Sequence, residues 1–283
     1  MIPNTFEYHR PKSIPDALAI LTAHGDDARV IAGGHSLIPV MKQRLTDISH
    51  LVDLQDIGDL KGVMVGDTIR IGAMTTQHVL ITHPGLAAAV PLLAEAALQI
   101  ADPQVRYMGT LGGNVANGDP GNDMPGLMMC LDAQFVLSGP EGTRTVAARN
   151  FYFGAYATER AEDEILVAVE MARPVGGYAY EKQKRKIGDY ATAAAAVQMT
   201  AAGGRVTQAS VAMTNLSDVP VWSESAGEAL VGTDCGPDAV KAAVAAMLAD
   251  INPTKDNRGP VEFKRHVAGV VLGRAIARAF SRC

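Results

Sequence analysis

A chain of 283 residues, 48% hydrophobic and 19% charged, has room for one large globular domain or two ordinary ones. Its net charge of −5 argues against a surface built for nucleic acid or anionic lipid. The start, MIPNTFEYHRPKS, lacks the basic-then-apolar pattern of a secretory signal, and the best apolar run, AVPLLAEAALQIA, is broken by Glu95 and Gln99 before it could span a bilayer; a cytoplasmic chain is expected.

In chain order, TFEYH reads as a strand, and Ser13-Ile14-Pro15-Asp16 as a capping signature opening a helix that Gly25 ends. ARVIAGG is a short buried strand and HLVDLQDI the next, a β-α-β start. From about residue 60 the pattern changes. VMVGDTIRIGA is a hairpin turning at Gly66-Asp67, followed by a helical stretch from Thr76 to about Ala101, interrupted at Pro84-Gly85. MGTLGGNVANGDPGNDMPG reads as a long loop, AQFVLSGPEGTRTVAA as a second hairpin, and EILVAVEM as a strand. Residues 173–177, RPVGG, make a joint. Beyond it YAYEKQKRK and TAAAAVQMTAAGGRVTQASVAMTN form an antiparallel set turning at Gly203-Gly204, and three helices close the chain. Strands followed by helices make this last part an α+β unit.

Two segments share a pattern. AGGHSLIP, from residue 32, and TLGGNVANG, from residue 110, each place Gly-Gly directly before a small hydrogen-bonding residue. Paired glycines let main chain approach a ligand and turn successive N–H groups toward an anion such as phosphate. His35, Ser36, Thr110 and Asn114 could add side-chain hydrogen bonds, and two such loops could grip a dinucleotide's diphosphate from both sides. Since 28 of the 283 residues are glycine, either pair alone reads equally well as a turn. No G-x-G-x-x-G follows a strand and no G-x-x-x-x-G-K-[ST] occurs, so neither a Rossmann turn nor a P-loop would hold the ligand.

The remaining polar residues are less telling. Asp119, Asn122 and Asp123 fit turn chemistry. The seven histidines form no metal constellation along the sequence; His78 and His83, five apart, fall on different helix faces. The run EKQKRK is a solvated edge or a partner-facing strip. Tyr190 is a core aromatic or a ring that stacks on a flat cofactor. Cys130, Cys235 and Cys283 are scattered, without the spacing of a zinc or iron–sulfur site; the first two are expected to be inert and the last to sit on a mobile terminus. No catalytic acid, base or nucleophile stands out.

AGGHSLIP, TLGGNVANGDPGNDMP and YEKQKRKIGDYATAAAAV together resemble the FAD-binding medium subunits of the molybdenum hydroxylases, the xanthine dehydrogenase family. The similarity runs almost end to end, and the forms AGGHS and NGDPGNDMP favour its carbon monoxide dehydrogenase branch. The resemblance implies a two-subdomain FAD-binding domain of the vanillyl-alcohol-oxidase-like (PCMH) type over residues 1–177, divided at about 60, then a C-terminal α+β domain over 178–283. It implies that Ala32, Gly33, Gly34, His35, Ser36 and Leu37, with Thr110, Leu111, Gly112, Gly113 and Asn114, hold the FAD diphosphate. Asp123 would help bind the cofactor, and Lys186 and Tyr190 would lie near the isoalloxazine. Valine at Gly33 or Gly112 is then expected to block the phosphates.

With no cluster ligands of its own, the chain would take electrons from a separate iron–sulfur small subunit beside a molybdopterin large subunit. It would pass them to a quinone or cytochrome, an acceptor that would give the complex a peripheral membrane contact. Other readings are the same subunit of a complex acting on a heterocycle or aldehyde, a non-catalytic nucleotide-binding assembly module, and an NAD-linked dehydrogenase, which the missing Rossmann fingerprint disfavours.

Overall fold

The computed structural model describes residues 2–283. Strand β1 (Glu7–His9) leads to helix α1 (Ile14–His24), whose N-cap Ser13 accepts a hydrogen bond from the Asp16 N–H. Strand β2 (Ala28–Ile31), the first glycine segment, a short helix α2 (Leu37–Lys42) and β3 (His50–Asp53) follow. The three strands form a parallel sheet in the order β1-β3-β2. Ala17 and Leu21 of α1 pack on Ala28 and Val52 of that sheet.

The middle of the chain adds β4 (Val63–Val65), β5 (Thr68–Gly72), β6 (Gln134–Gly139), β7 (Gly142–Ala147), the small hairpin β8 (Tyr152–Gly154) and β9 (Ala157–Thr158), and β10 (Ile165–Ala172). Five of them make an antiparallel sheet, β4-β5-β10-β6-β7. Its central strand β10 carries a bulge between Leu166 and Ala168. Because of that extra residue, Val167 and Ala168 both face the core shared with α1, while Leu166, Val169 and Met171 face the opposite core. One strand thereby closes two hydrophobic layers.

Between the two hairpins run α3 (Gln77–Thr82), α4 (Pro84–Ala89), α5 (Pro91–Ala97), α6 (Pro103–Met108), α7 (Leu111–Ala116) and α8 (Asp123–Cys130). The stretch expected as one interrupted helix is broken at both Pro84 and Pro91, each of which starts a new helix where the missing N–H costs nothing. The glycine-rich segment expected as a loop holds α7 and α8. Caps supply what composition withholds: Asp102 accepts from the Val105 N–H and Thr110 from the Gly113 N–H.

The last part pairs β11 (Gly177–Gln183), β12 (Ala193–Ala202), β13 (Arg205–Thr214) and β14 (Val221–Trp222) antiparallel in that order, followed by α9 (Glu224–Glu228), α10 (Pro237–Asp250) and α11 (Val261–Phe280). On β12, Ala193, Ala195, Val197 and Met199 face the helices α9–α11, whereas Ala194 and Ala196 face the central core. An alanine run is what a strand buried on both faces needs where a helix, here α8, lies against it. No helix is long and apolar enough to cross a membrane among the described residues.

Candidate functional site

The segment after β2 and the start of α7 meet at a cleft of about 560 Å³, a size that suits a bound small molecule. A Cβ added to Gly33 would lie 2.3 Å from the Met108 carbonyl oxygen, and one on Gly113 would lie 3.4 Å from the Ala32 Cβ. The first glycine segment therefore lies against the main chain that leads into the second, and against the start of α7 itself. Gly34 sits at φ +75°, a conformation glycine adopts without strain.

The two segments do not contribute alike. Among the described residues, no acceptor engages the N–H groups of Gly33, Gly34, His35 or Ser36. The corresponding groups of the second segment are spent: Leu111 N–H donates to Thr75 O, Gly112 to Ala73 O, Gly113 to Thr110 Oγ1 and Asn114 to Thr110 O. Of these main-chain N–H groups, only those of the first segment are free for an anion. The second shapes the wall.

Eleven of the fourteen expected residues line the cleft: Ala32 to Leu37, Thr110, Gly113, Asn114, Asp123 and Tyr190. Leu111 and Gly112 instead point into the core, where a Cβ on Gly112 would lie 2.5 Å from the Ala73 Cβ. Gly112 is needed for packing α7 on the turn after β5, and Gly33 for the approach to Met108; a side chain at either position meets the protein's own atoms first. Lys186 also lies outside the cleft. Its carbonyl accepts from the Asp189 N–H in the loop joining β11 to β12.

Lys182, four residues earlier and on β11, reaches the cleft instead. Expected as part of a solvated edge, its side chain is 1% exposed and its Nζ lies 2.7 Å from Asp123 Oδ2. Tyr180 donates to the other oxygen, Asp123 Oδ1, at 2.5 Å. Burial, followed by the Asp123 charge, pushes the Tyr180 hydroxyl well above the usual tyrosine range, so it stays a donor. Lys182 and Lys184 both donate to Gln99 O, and burial together with the Lys182 charge lowers the Lys184 ammonium.

Two residues that sequence reasoning missed carry polar atoms without partners. Gln77 Oε1 and Asn117 Nδ2 are buried, line the cleft and make no hydrogen bond. Gln77 is only 2% exposed, and leaving such an acceptor unpaired costs about 1–3 kcal/mol. An acceptor and a donor held unsatisfied in one cleft are what a hydroxyl-rich or heterocyclic ligand would complete. No local signal marks either residue. Arg160, half-buried and lowered by desolvation, and the ion pair of Arg29 with Glu162 complete the rim.

Tyr190 covers one side. Its ring rests on Gly121, where an added Cβ would meet Tyr190 Cδ1 at 2.8 Å, and the Arg258 guanidinium lies 5.6 Å from the ring centroid. Burial, then Asp119, raises its hydroxyl well above the ordinary value. Asp119 also accepts from the Gly121 N–H at 2.8 Å, the turn chemistry expected of it. Asp189, held by Arg185 at 2.8 Å, fixes the base of the Tyr190 loop, and Asn215 clamps that loop to the cleft by donating to Ala191 O and Pro120 O. Burial pushes the Cys130 thiol up to about 12, in keeping with an inert cysteine.

Residues 4–174 match the family model described as the FAD binding domain in molybdopterin dehydrogenase, and residues 178–279 match the CO dehydrogenase flavoprotein C-terminal domain. The chain is 58% identical to the carbon monoxide dehydrogenase medium chain of Afipia carboxidovorans, covering 100% of this chain and 99% of that one. It is 46% identical to the medium chain from Hydrogenophaga pseudoflava over the whole of both. The solved structure of reconstituted CO dehydrogenase from Oligotropha carboxidovorans contains a chain that superimposes with TM-score 0.99 at 57% identity, covering 100% of each.

Proposed function

The chain belongs to the family of FAD-binding medium subunits of molybdopterin dehydrogenases, and from that premise we propose that it accepts electrons from an iron–sulfur subunit and delivers them to a quinone or cytochrome. Its cofactor is FAD, and it is one component of an oxidoreductase whose molybdenum and iron–sulfur centres lie on other chains. Carbon monoxide is the substrate of the whole complex in this reading, supported by full-length similarity to two carbon monoxide dehydrogenase medium chains.

The observation that carries the proposal is the convergence of two distant glycine segments on one cleft with unsatisfied donors and acceptors. The N–H groups of Gly33 to Ser36 would cradle the diphosphate, the fit main chain offers an anion in a concave turn. Gln77 and Asn117 would complete their hydrogen bonds on the cofactor. Lys182, paired with Asp123, would place a cation beside it, and Tyr190 would shield one face. FAD, when bound, supplies the redox chemistry; the chain supplies position, charge and exclusion of water. We place the division between the FAD-binding part and the C-terminal part at residue 177, where β11 begins.

The test is to purify the chain with its partner subunits, then add carbon monoxide. Bleaching of the flavin absorbance in the complex, and none in the isolated chain, is expected. A colourless complex, or a flavin that carbon monoxide fails to reduce while an aldehyde or heterocycle succeeds, would overturn the cofactor or the substrate respectively.

A further inference from the structure

Three of the seven histidines, scattered in sequence, meet in space. His9 ends β1, His24 ends α1 and His50 begins β3. Glu7 is the register partner of His50, and His9 lies two residues on from Glu7, so all three project from one face of the sheet. Helix α1 crosses that face and delivers His24. His9 Nε2 lies 3.0 Å from His50 Nδ1, and the His24 and His50 rings stack at 3.6 Å. One nitrogen from each ring lies within 4.8 Å of the others. Glu7 Oε2 is 3.5 Å from His50 Nδ1 and 3.9 Å from His9 Nε2.

None of these three histidines lines the cofactor cleft. His50 pairs in register with Ala28, at the start of β2, whereas the glycine segment leaves the other end, beyond Ile31. Three residues of strand put about 10 Å between the two ends.

We propose that His9, His24, His50 and Glu7 bind one divalent transition-metal ion of the zinc class. Imidazole and carboxylate donors suit such an ion. Tetrahedral coordination at about 2.0–2.1 Å needs ligand atoms roughly 3.4 Å apart, close to the 3.0, 3.5 and 3.9 Å that separate the His9, His50 and Glu7 atoms here. The His24 ring, stacked on His50, is the ligand that has to turn to aim a nitrogen at the centre. The ion takes the place of the shared proton between His9 and His50. The His9 and His50 side chains are 25% and 16% exposed, open enough to load from solvent. The site would staple β1 and α1 to β3, the strand that pairs with β2, from which the first glycine segment leaves.

The test uses the full chain without a histidine tag, stripped by a chelator and titrated with Zn²⁺ against a chromogenic competitor, and separately with Co²⁺ by visible absorption. One equivalent should bind, with the intense d–d bands of four-coordinate cobalt, and His24→Gln should weaken binding at least tenfold while His78→Gln does not. Should His24→Gln fail to fold, Glu7→Gln, whose side chain is 74% exposed, serves instead and should weaken binding severalfold. Substoichiometric uptake, six-coordinate cobalt spectra alone, or equal affinity in the wild type and the folded variant would overturn the proposal and leave a purely stacked histidine cluster.

Discussion

Asn117 Nδ2 and Gln77 Oε1 are poised rather than satisfied in the chain by itself. Replacing an unpaired buried polar group with an apolar one of similar shape is neutral or stabilising, whereas losing its bond to a ligand costs about 1.5 kcal/mol, or roughly tenfold in affinity. Asn117→Leu should therefore leave the melting temperature of the apoprotein unchanged or higher and weaken FAD binding about tenfold, read by flavin fluorescence titration. The Lys182–Asp123 pair behaves in the opposite way. Both side chains are buried, so Lys182→Met should destabilise the apoprotein by about 3–5 kcal/mol, and adding Asp123→Asn should recover much of it. Denaturant unfolding of the single and double variants would show this.

Among elements, the hairpins, the strands of the C-terminal sheet and the capped first helix are legible in the sequence because alternation, Gly-Asp turns and Ser-x-x-Asp act locally. Helix α7 is not. Its Leu-Gly-Gly-Asn start opposes helix propensity, and it folds because Thr110 caps it and Gly112 packs against Ala73. The cleft was legible as two glycine segments, but Gln77, Asn117 and Lys182 were not, since only tertiary packing turns them inward. The histidine cluster escaped for the same reason.

Between elements, Arg144 of β7 holds Glu164 at 2.6 Å and Glu159 at 3.2 Å. The hydrogen bond from Arg144 is the largest influence on Glu164 and lowers its carboxyl below the ordinary 4.5. A depressed carboxyl contributes stability that is complete above about the ordinary value and is lost as pH falls through the lower folded value. Thermal melts of Glu164→Gln should thus converge with the wild type at low pH and fall below it from about pH 5 upward; parallel curves across the range would contradict the linkage.

For the molecule as a whole, Glu95 is the hinge point between its parts. As a break in an apolar run it looked incidental, yet it accepts from the Tyr180 N–H at 2.6 Å and pairs with Arg278 and Arg282 of the C-terminal segment. Glu95→Ala leaves two guanidinium groups and an N–H without this acceptor, at a cost of about 1–3 kcal/mol, mostly from the unpaired Tyr180 N–H. Limited proteolysis near residues 173–176 should accelerate in this variant, and bound FAD should slow it, because a ligand touching both parts adds about 2.7 kcal/mol at a hundredfold excess over Kd.

The obstacle facing any side chain at Gly33 is a carbonyl oxygen, that of Met108. Every amino acid carries the same oxygen, so no exchange at position 108 can make room, and suppressor screens begun from a Gly33 variant should return revertants to glycine and no compensating partner there. Whatever else drifts in descendants of this chain, that crossing point is closed to trial and error.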